Sequence, residues 1–133
     1  MTLRKLRQQD PGLRIVYKEL PILGADSLLA ARAALAARAQ GKYLELHEAM
    51  LASSEPMTGP AILEIARGVG LDADRLEADM GSSEITAAIE RNRALARALN
   101  LGGTPAFVIG AEIIPGAVSL EALQEVIART RGR

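Results

Sequence analysis

The 133-residue sequence contains no cysteine and no tryptophan. Without a thiol, these residues can form no disulfide, present no thiolate nucleophile and hold no cysteine-ligated metal. Aromatic side chains are confined to Tyr17, Tyr43 and Phe107, so Leu, Ile, Val and Ala have to build the core. An excess of either charge is lacking too: 16 Lys and Arg balance 16 Asp and Glu, with the signs interspersed. That balance argues against nucleic acid and against a membrane surface as partners. No apolar run approaches the ~18 residues of a transmembrane helix. The start, "MTLRKLRQQDPG", is basic but has no apolar h-region and no cleavage site, so it does not read as a signal peptide.

What is present is an ordinary globular balance, 49% hydrophobic and 24% charged, in a length that suits one domain. Residues 2–9 read as a helix stopped by Asp10-Pro11-Gly12. "LRIVYKEL", residues 13–20, alternates as a strand, with Leu13, Ile15 and Tyr17 on one face and Val16 and Leu20 on the other. Asp26 is a candidate N-cap for a helix over 27–40. After Gly41, "KYLELHEAMLAS" makes a second helix and "PAILEIARGVG" a third. Asp72 caps a fourth, "ADRLEADM". A fifth runs from Ser82 to about Leu99, with Ile85, Ala88, Ile89, Asn92, Leu95, Ala96 and Leu99 on one face. "PAFVIG" and "EIIPG" then form a hairpin around Gly110-Ala111. Ser119 caps a final helix, with Glu121 in its first turn and Arg129 near its end. Three short strands are few beside this much helix, as though a layered α/β sheet were incomplete.

Several residues could carry chemistry, and each has a plainer role beside it. His47, the sole histidine, lies between Glu45 and Glu48, but one helix cannot aim neighbouring residues at one metal ion, so a helix-packing histidine is the expectation. Asn92 could orient a ligand or satisfy a backbone carbonyl. Lys18 and Glu19, at the end of the first strand, could be active-site charges or a solvated pair. Ser53 and Ser54 have no histidine placed to activate them. "GVG" and "GG" lack the strand–GxGxxG–helix setting of a phosphate loop. In "GGTPAFVIG", residues 102–110, Pro105 suits the first position of a strand because proline cannot donate to a ladder. A cis Thr104-Pro105 bond would instead turn the backbone of Thr104 outward, free to pair with an extended peptide.

Two stretches carry a family resemblance: "RIVYKELPILGADSLLAARAALAARAQGKYLELHEAML" (14–51) and "ALNLGGTPAFVIGAEIIPGAVSLEALQEVI" (98–127). Together they resemble the DsbA-like branch of the thioredoxin superfamily. The resemblance implies an α/β fold, here an incomplete thioredoxin-like sheet of about three strands with a large helical insertion. It implies a single domain over 1–133, in which 1–25 and 101–133 are the thioredoxin-like part and 26–100 the insert. It makes Gly103, Thr104 and Pro105 a substrate-binding cis-proline loop, with an unfolded or extended polypeptide as partner. It implies thiol–disulfide exchange without a cofactor or a metal, in the periplasm if the full-length protein has a signal peptide and in the cytoplasm as the chain stands.

The departure from the family is the missing Cys-X-X-Cys, together with the strands that precede it in other members. Without a thiolate no mixed disulfide forms, so the chain is expected to be redox-inactive, a member or C-terminal fragment of an oxidoreductase. The central strand absent here would lie between 13–19 and 106–110. One of three outcomes is expected: the flanking strands close on each other, a second copy pairs with an exposed sheet edge as a homodimer, or the chain belongs to a longer protein. The alternative function is a non-redox peptide-binding or assembly module that uses the Thr-Pro loop. Isomerase or glutathione-transferase-like relatives of the same fold rank last, because their key residue would also lie in the missing part.

Overall fold

The computed structural model of the chain describes every residue except Met1, Ile22, Leu23, Thr104 and Arg133. Its helices are α1 (Thr2–Gln9), α2 (Ala25–Ala37), α3 (Tyr43–Ala52), α4 (Gly59–Gly68), α5 (Ala73–Met80), α6 (Ser83–Ala98) and α7 (Leu120–Arg131). Strands β1 (Ala106–Ile109) and β2 (Glu112–Pro115) precede α7, and a 3-10 turn (Arg38–Gln40) follows α2. The chain divides into two compact units: residues 1–18 with 96–133, and residues 19–95.

The 19–95 unit is a helical bundle around α2. That helix is rich in alanine, and Ala31 and Ala33 through Ala37 are all buried, so α3, α4 and α5 pack against it closely. Leu46, Ile62, Leu76 and Ile89 fill the spaces and are fully buried. Long polar side chains satisfy the helix ends. Lys42 Nζ donates to the Val69 carbonyl at 2.7 Å, and Arg32 donates to the Met80 carbonyl at 3.0 Å. Gln40 and the Asp72 backbone exchange two hydrogen bonds, at 2.9 and 3.1 Å, while the Asp72 carboxylate caps α5 through the Arg75 N–H.

The other unit packs α1 and α7 with the hairpin. Leu6, Leu123 and Ile127 are its buried centre, joined by half-buried Leu13, Phe107, Ile109 and Ile114. The hairpin is antiparallel, with Phe107 opposite Ile114 and Val108 opposite Ile113. Phe107, Ile109 and Ile114 therefore face the helices, and Val108 and Ile113 face outward. Its turn places Gly110 at φ +59, a conformation that glycine adopts without a Cβ penalty. Asp10 accepts two hydrogen bonds from Arg131, which lowers its carboxyl below the usual range.

The structure corrects three expectations. Residues 13–20 form no ladder, and among the described residues the sheet has two strands rather than three. The segment keeps the alternation of a strand, with Leu13, Ile15 and Tyr17 half-buried and Arg14, Val16 and Lys18 exposed. What it lacks is a neighbour, and side-chain alternation reports burial rather than pairing. Nor do 13–18 and β1 close on each other. Secondly, Gly24 at φ +93, not Asp26, occupies the N-cap of α2, and Asp26 lies in the first turn. There its charge favours the helix dipole without accepting a capping bond. Finally, Leu95 is 42% exposed rather than on the buried face of α6, which Ile85, Ile89 and Ala96 make.

Candidate functional site

The approach to β1 is built by the way α6 stops. Asn100 adopts φ +56, a left-handed conformation that asparagine tolerates better than most residues. This turns the chain so that Leu101 N–H donates back to the Ala96 carbonyl at 2.8 Å, closing the end of the helix. The chain then runs through Gly102 and Gly103, both exposed, where an added Cβ would meet no atom within 4 Å.

Thr104 lies outside the described residues, and with it the geometry of the Thr104-Pro105 bond. Pro105 is exposed and sits immediately before β1, where its missing N–H costs the ladder nothing. Its carbonyl accepts from Gly116 N–H at 2.8 Å, with Gly116 at φ +104, and that bond ties the mouth of the hairpin. The loop is thus held at both ends, by the α6 cap and by the hairpin mouth.

The second constellation lies within residues 19–95. Tyr43 Oη donates to Glu19 Oε1 at 2.5 Å. His47 Nδ1 lies 3.3 Å from the same oxygen. Tyr43 and His47 are four residues apart on α3, so their rings share a face, and they stack at 5.5 Å with 13° between planes. The Arg38 guanidinium sits 4.8 Å from the Tyr43 ring centroid. The Glu19 carbonyl accepts from Asn92 Nδ2 at 2.8 Å, so Asn92 on α6 satisfies a backbone group. Glu19 is consequently anchored by α3 and α6, and its side chain is only 16% exposed. Its sequence neighbour Lys18 is exposed.

Sequence reasoning named Glu19 and His47 separately and missed their meeting. The i, i+4 spacing of Tyr43 and His47 was a usable signal for half of it; nothing local links either to a carboxylate that lies 24 residues before Tyr43. Among the described residues no three His, Cys, Asp or Glu side chains converge as metal ligands would. Ser53 and Ser54 line a shallow surface hollow with Glu55, Ala61 and Glu64, and Ser53 Oγ accepts from Glu55 N–H.

Comparison with known proteins gives these features a setting. Residues 1–128 match the family model of the DSBA-like thioredoxin domain. A thioredoxin-like oxidoreductase from Silicibacter pomeroyi is 45% identical and superposes with a TM-score of 0.96, over 99% of this chain and 76% of that one. The thiol-disulfide exchange protein alpha-DsbA2 from Wolbachia pipientis is 30% identical with a TM-score of 0.89, over 96% and 70%. A periplasmic thioredoxin-like protein from Salmonella enterica serovar Typhimurium is 30% identical with a TM-score of 0.85, over 99% and 74%. The chain also matches curated Salinispora proteins, such as the Na(+)/H(+) antiporter NhaA 3 of Salinispora tropica, at 27% identity over 126 residues. It spans only 19% of the length of those relatives. No described helix is long and apolar enough to cross a membrane.

Proposed function

Since this chain belongs to the DSBA-like thioredoxin domain family, we propose that it is the substrate-facing, cysteine-free part of a thiol–disulfide oxidoreductase acting on extended polypeptides. The observation that supports this reading is the exposed approach to β1, tied at Ala96 and at Gly116, in a chain that the family model spans over residues 1–128. Gly103, Thr104 and Pro105 offer their main chain to an extended substrate, and the absence of side chains at Gly102 and Gly103 leaves room for its backbone. Lys18 and Glu19 are further candidate active-site charges, Glu19 held by Tyr43 and Lys18 exposed. Residues 26–100 are the helical insert.

Exchange requires a thiolate to attack a disulfide sulfur, and none of the 133 residues supplies one. On this reading the thiols come from outside these 133 residues, and the chain by itself is expected to perform no exchange. The relatives at 45% and 30% identity are an oxidoreductase and an exchange protein, which favours this reading over a stand-alone binding module. The compartment follows the family, as in the periplasmic Salmonella relative, if the intact protein carries a signal peptide. β1, which bears no charged residue and among the described residues pairs with β2 alone, is where a second copy would pair to form a homodimer.

The test is binding of a reduced, unfolded polypeptide to the 133-residue chain, read by fluorescence anisotropy. Pro105→Ala should weaken binding several-fold without altering the circular dichroism spectrum. With glutathione present, the chain should not reduce a disulfide-bonded reporter peptide above the rate of glutathione alone. Unchanged binding by Pro105→Ala would overturn the loop assignment, and turnover by the cysteine-free chain would overturn the division of labour.

A further inference from the structure

We propose that the hollow between the end of α3 and the start of α4 is a docking site for an arginine side chain of a partner polypeptide. It lies wholly within residues 19–95 and does not rest on the exchange reading. Three observations support it.

The walls come first. The hollow has a volume of about 400 Å³. Its bottom is apolar: Ala61 and Ile65, on one face of α4, are half-buried. Its rim is polar: Ser54, Glu55 and Glu64 are exposed. The connection that carries Ser54 and Glu55 is held in shape. Ser53 N–H donates to the Met50 carbonyl at 3.2 Å, and Ser53 Oγ accepts from Glu55 N–H at 3.2 Å. Thr58 Oγ1 caps α4 by accepting from Ala61 N–H at 3.4 Å. The hollow is therefore already formed, and filling it requires little further ordering.

The unspent polar groups come second. Glu55 and Glu64 form no ion pair among the described residues, and the Ser54 hydroxyl makes no hydrogen bond among them. Arg67, one turn beyond Glu64 on α4, is exposed and leaves that carboxylate unpaired. Arg75 and Arg93, in the same unit, each hold a carboxylate on their own helix instead. The helix ends nearly cancel: α3 brings the negative end of its dipole and α4 the positive end of its own, so the side chains decide the sign. Residues 19–95 hold 12 Asp and Glu against seven Lys and Arg, and an approaching cation meets an attractive field.

The third observation decides the occupant. An apolar bottom beneath carboxylates matches a side chain with an apolar stem and a cationic head. Arginine suits it better than lysine. Its planar guanidinium carries five donors, enough to address Glu55, Glu64 and the Ser54 hydroxyl, and it sheds water more readily than an ammonium. A shallow hollow would leave a free small molecule largely in water, whereas sites for such ligands bury most of their surface. A side chain presented on a polypeptide needs no such enclosure, because its neighbours cover the rim. Leu51, which precedes Ala52 at the end of α3, is 58% exposed and offers those neighbours an apolar contact.

The test follows amide cross-peaks of the 133-residue chain during titration with acetyl-Ala-Leu-Arg-Leu-Ala-amide. A second peptide carries citrulline, the neutral isostere, in place of arginine. The arginine peptide should shift the amides of 53–55 and 61–65 saturably, with weaker binding at high salt, and the citrulline peptide should not. Glu55→Gln with Glu64→Gln should weaken the arginine peptide about tenfold. Glu77→Gln with Glu84→Gln removes the same charge from other exposed positions of the unit and should change binding less than about twofold. Equal binding of the two peptides, or undiminished binding by the Glu55 and Glu64 variant at unchanged circular dichroism, would overturn the proposal. Equal losses in the two double variants would reduce it to diffuse charge attraction, and it would fail. Shifts at the hollow that appear on concentrating the chain alone would assign it to a second copy and would also overturn it.

Discussion

Tyr43→Phe removes one oxygen from the protein, and the structure says what should follow. The phenol donates to Glu19 Oε1 at 2.5 Å, within the range of a hydrogen bond to a carboxylate. His47 Nδ1, at 3.3 Å from the same oxygen, is longer than a strong charge-assisted bond. The phenol is therefore the principal anchor of the side chain. Phenylalanine keeps the stack on His47 at 5.5 Å and the position beneath Arg38, so the substitution isolates the hydroxyl. Hydrogen bonds to charged groups contribute about 1.5–3 kcal/mol, and Glu19 retains some access to water, so a loss of about 1–2 kcal/mol is expected. Urea unfolding, followed through amide cross-peaks of residues 19–95, reads this as a lower midpoint at unchanged slope. In a Glu19→Ala background the same substitution should cost less, with a coupling of about 1 kcal/mol. A loss under about 0.5 kcal/mol, or an undiminished loss in the Glu19→Ala background, would refute the anchoring role.

Two further perturbations probe the other unit. Gly110→Ala puts a Cβ at φ +59 and 2.8 Å from Thr130 Cγ2, so it should cost at least about 1 kcal/mol in the unfolding of residues 1–18 and 96–133, and an unaffected midpoint would show that the turn adjusts freely. Arg131→Gln should raise the Asp10 titration to the ordinary carboxylate range in an NMR pH series, because the Arg131 hydrogen bond is the main cause of its lowering. A depressed carboxyl stabilises the fold above its unfolded value and loses that contribution as pH falls through its folded value. Wild type and Arg131→Gln should therefore converge in stability in strong acid, and a gap that persists there would contradict the pairing.

How legible the chain was depends on the range over which each feature is specified. The hairpin could be read because Gly110, Pro105 and two apolar runs act within about ten residues, and Ser119 and Asp72 cap their helices as the local pattern implies. The start of α2 was misread for a local reason as well. Asp26 is a better cap than Gly24 by side chain, but Gly24 alone can take φ +93 where the chain enters the helix. Strand status for 13–18 could not be read, since alternation records which side chains are buried and a ladder needs a neighbour. The Tyr43–Glu19–His47 contact was hidden by sequence separation, although each partner is a chemically informative residue.

The segment 13–18 shows why an unladdered strand can persist in a folded protein. Of its inward side chains, Leu13 packs on a cluster whose buried members, Leu6, Leu123 and Ile127, come from α1 and α7 rather than from strands. Burial of that row stabilises the extended conformation whether or not a strand lies alongside. Its outward side chains, Arg14, Val16 and Lys18, are exposed, and a backbone polar group left in water carries none of the penalty that burial would impose. Arg14 and Lys18, exposed on either side of Val16, keep identical edges apart, as edge lysines commonly do.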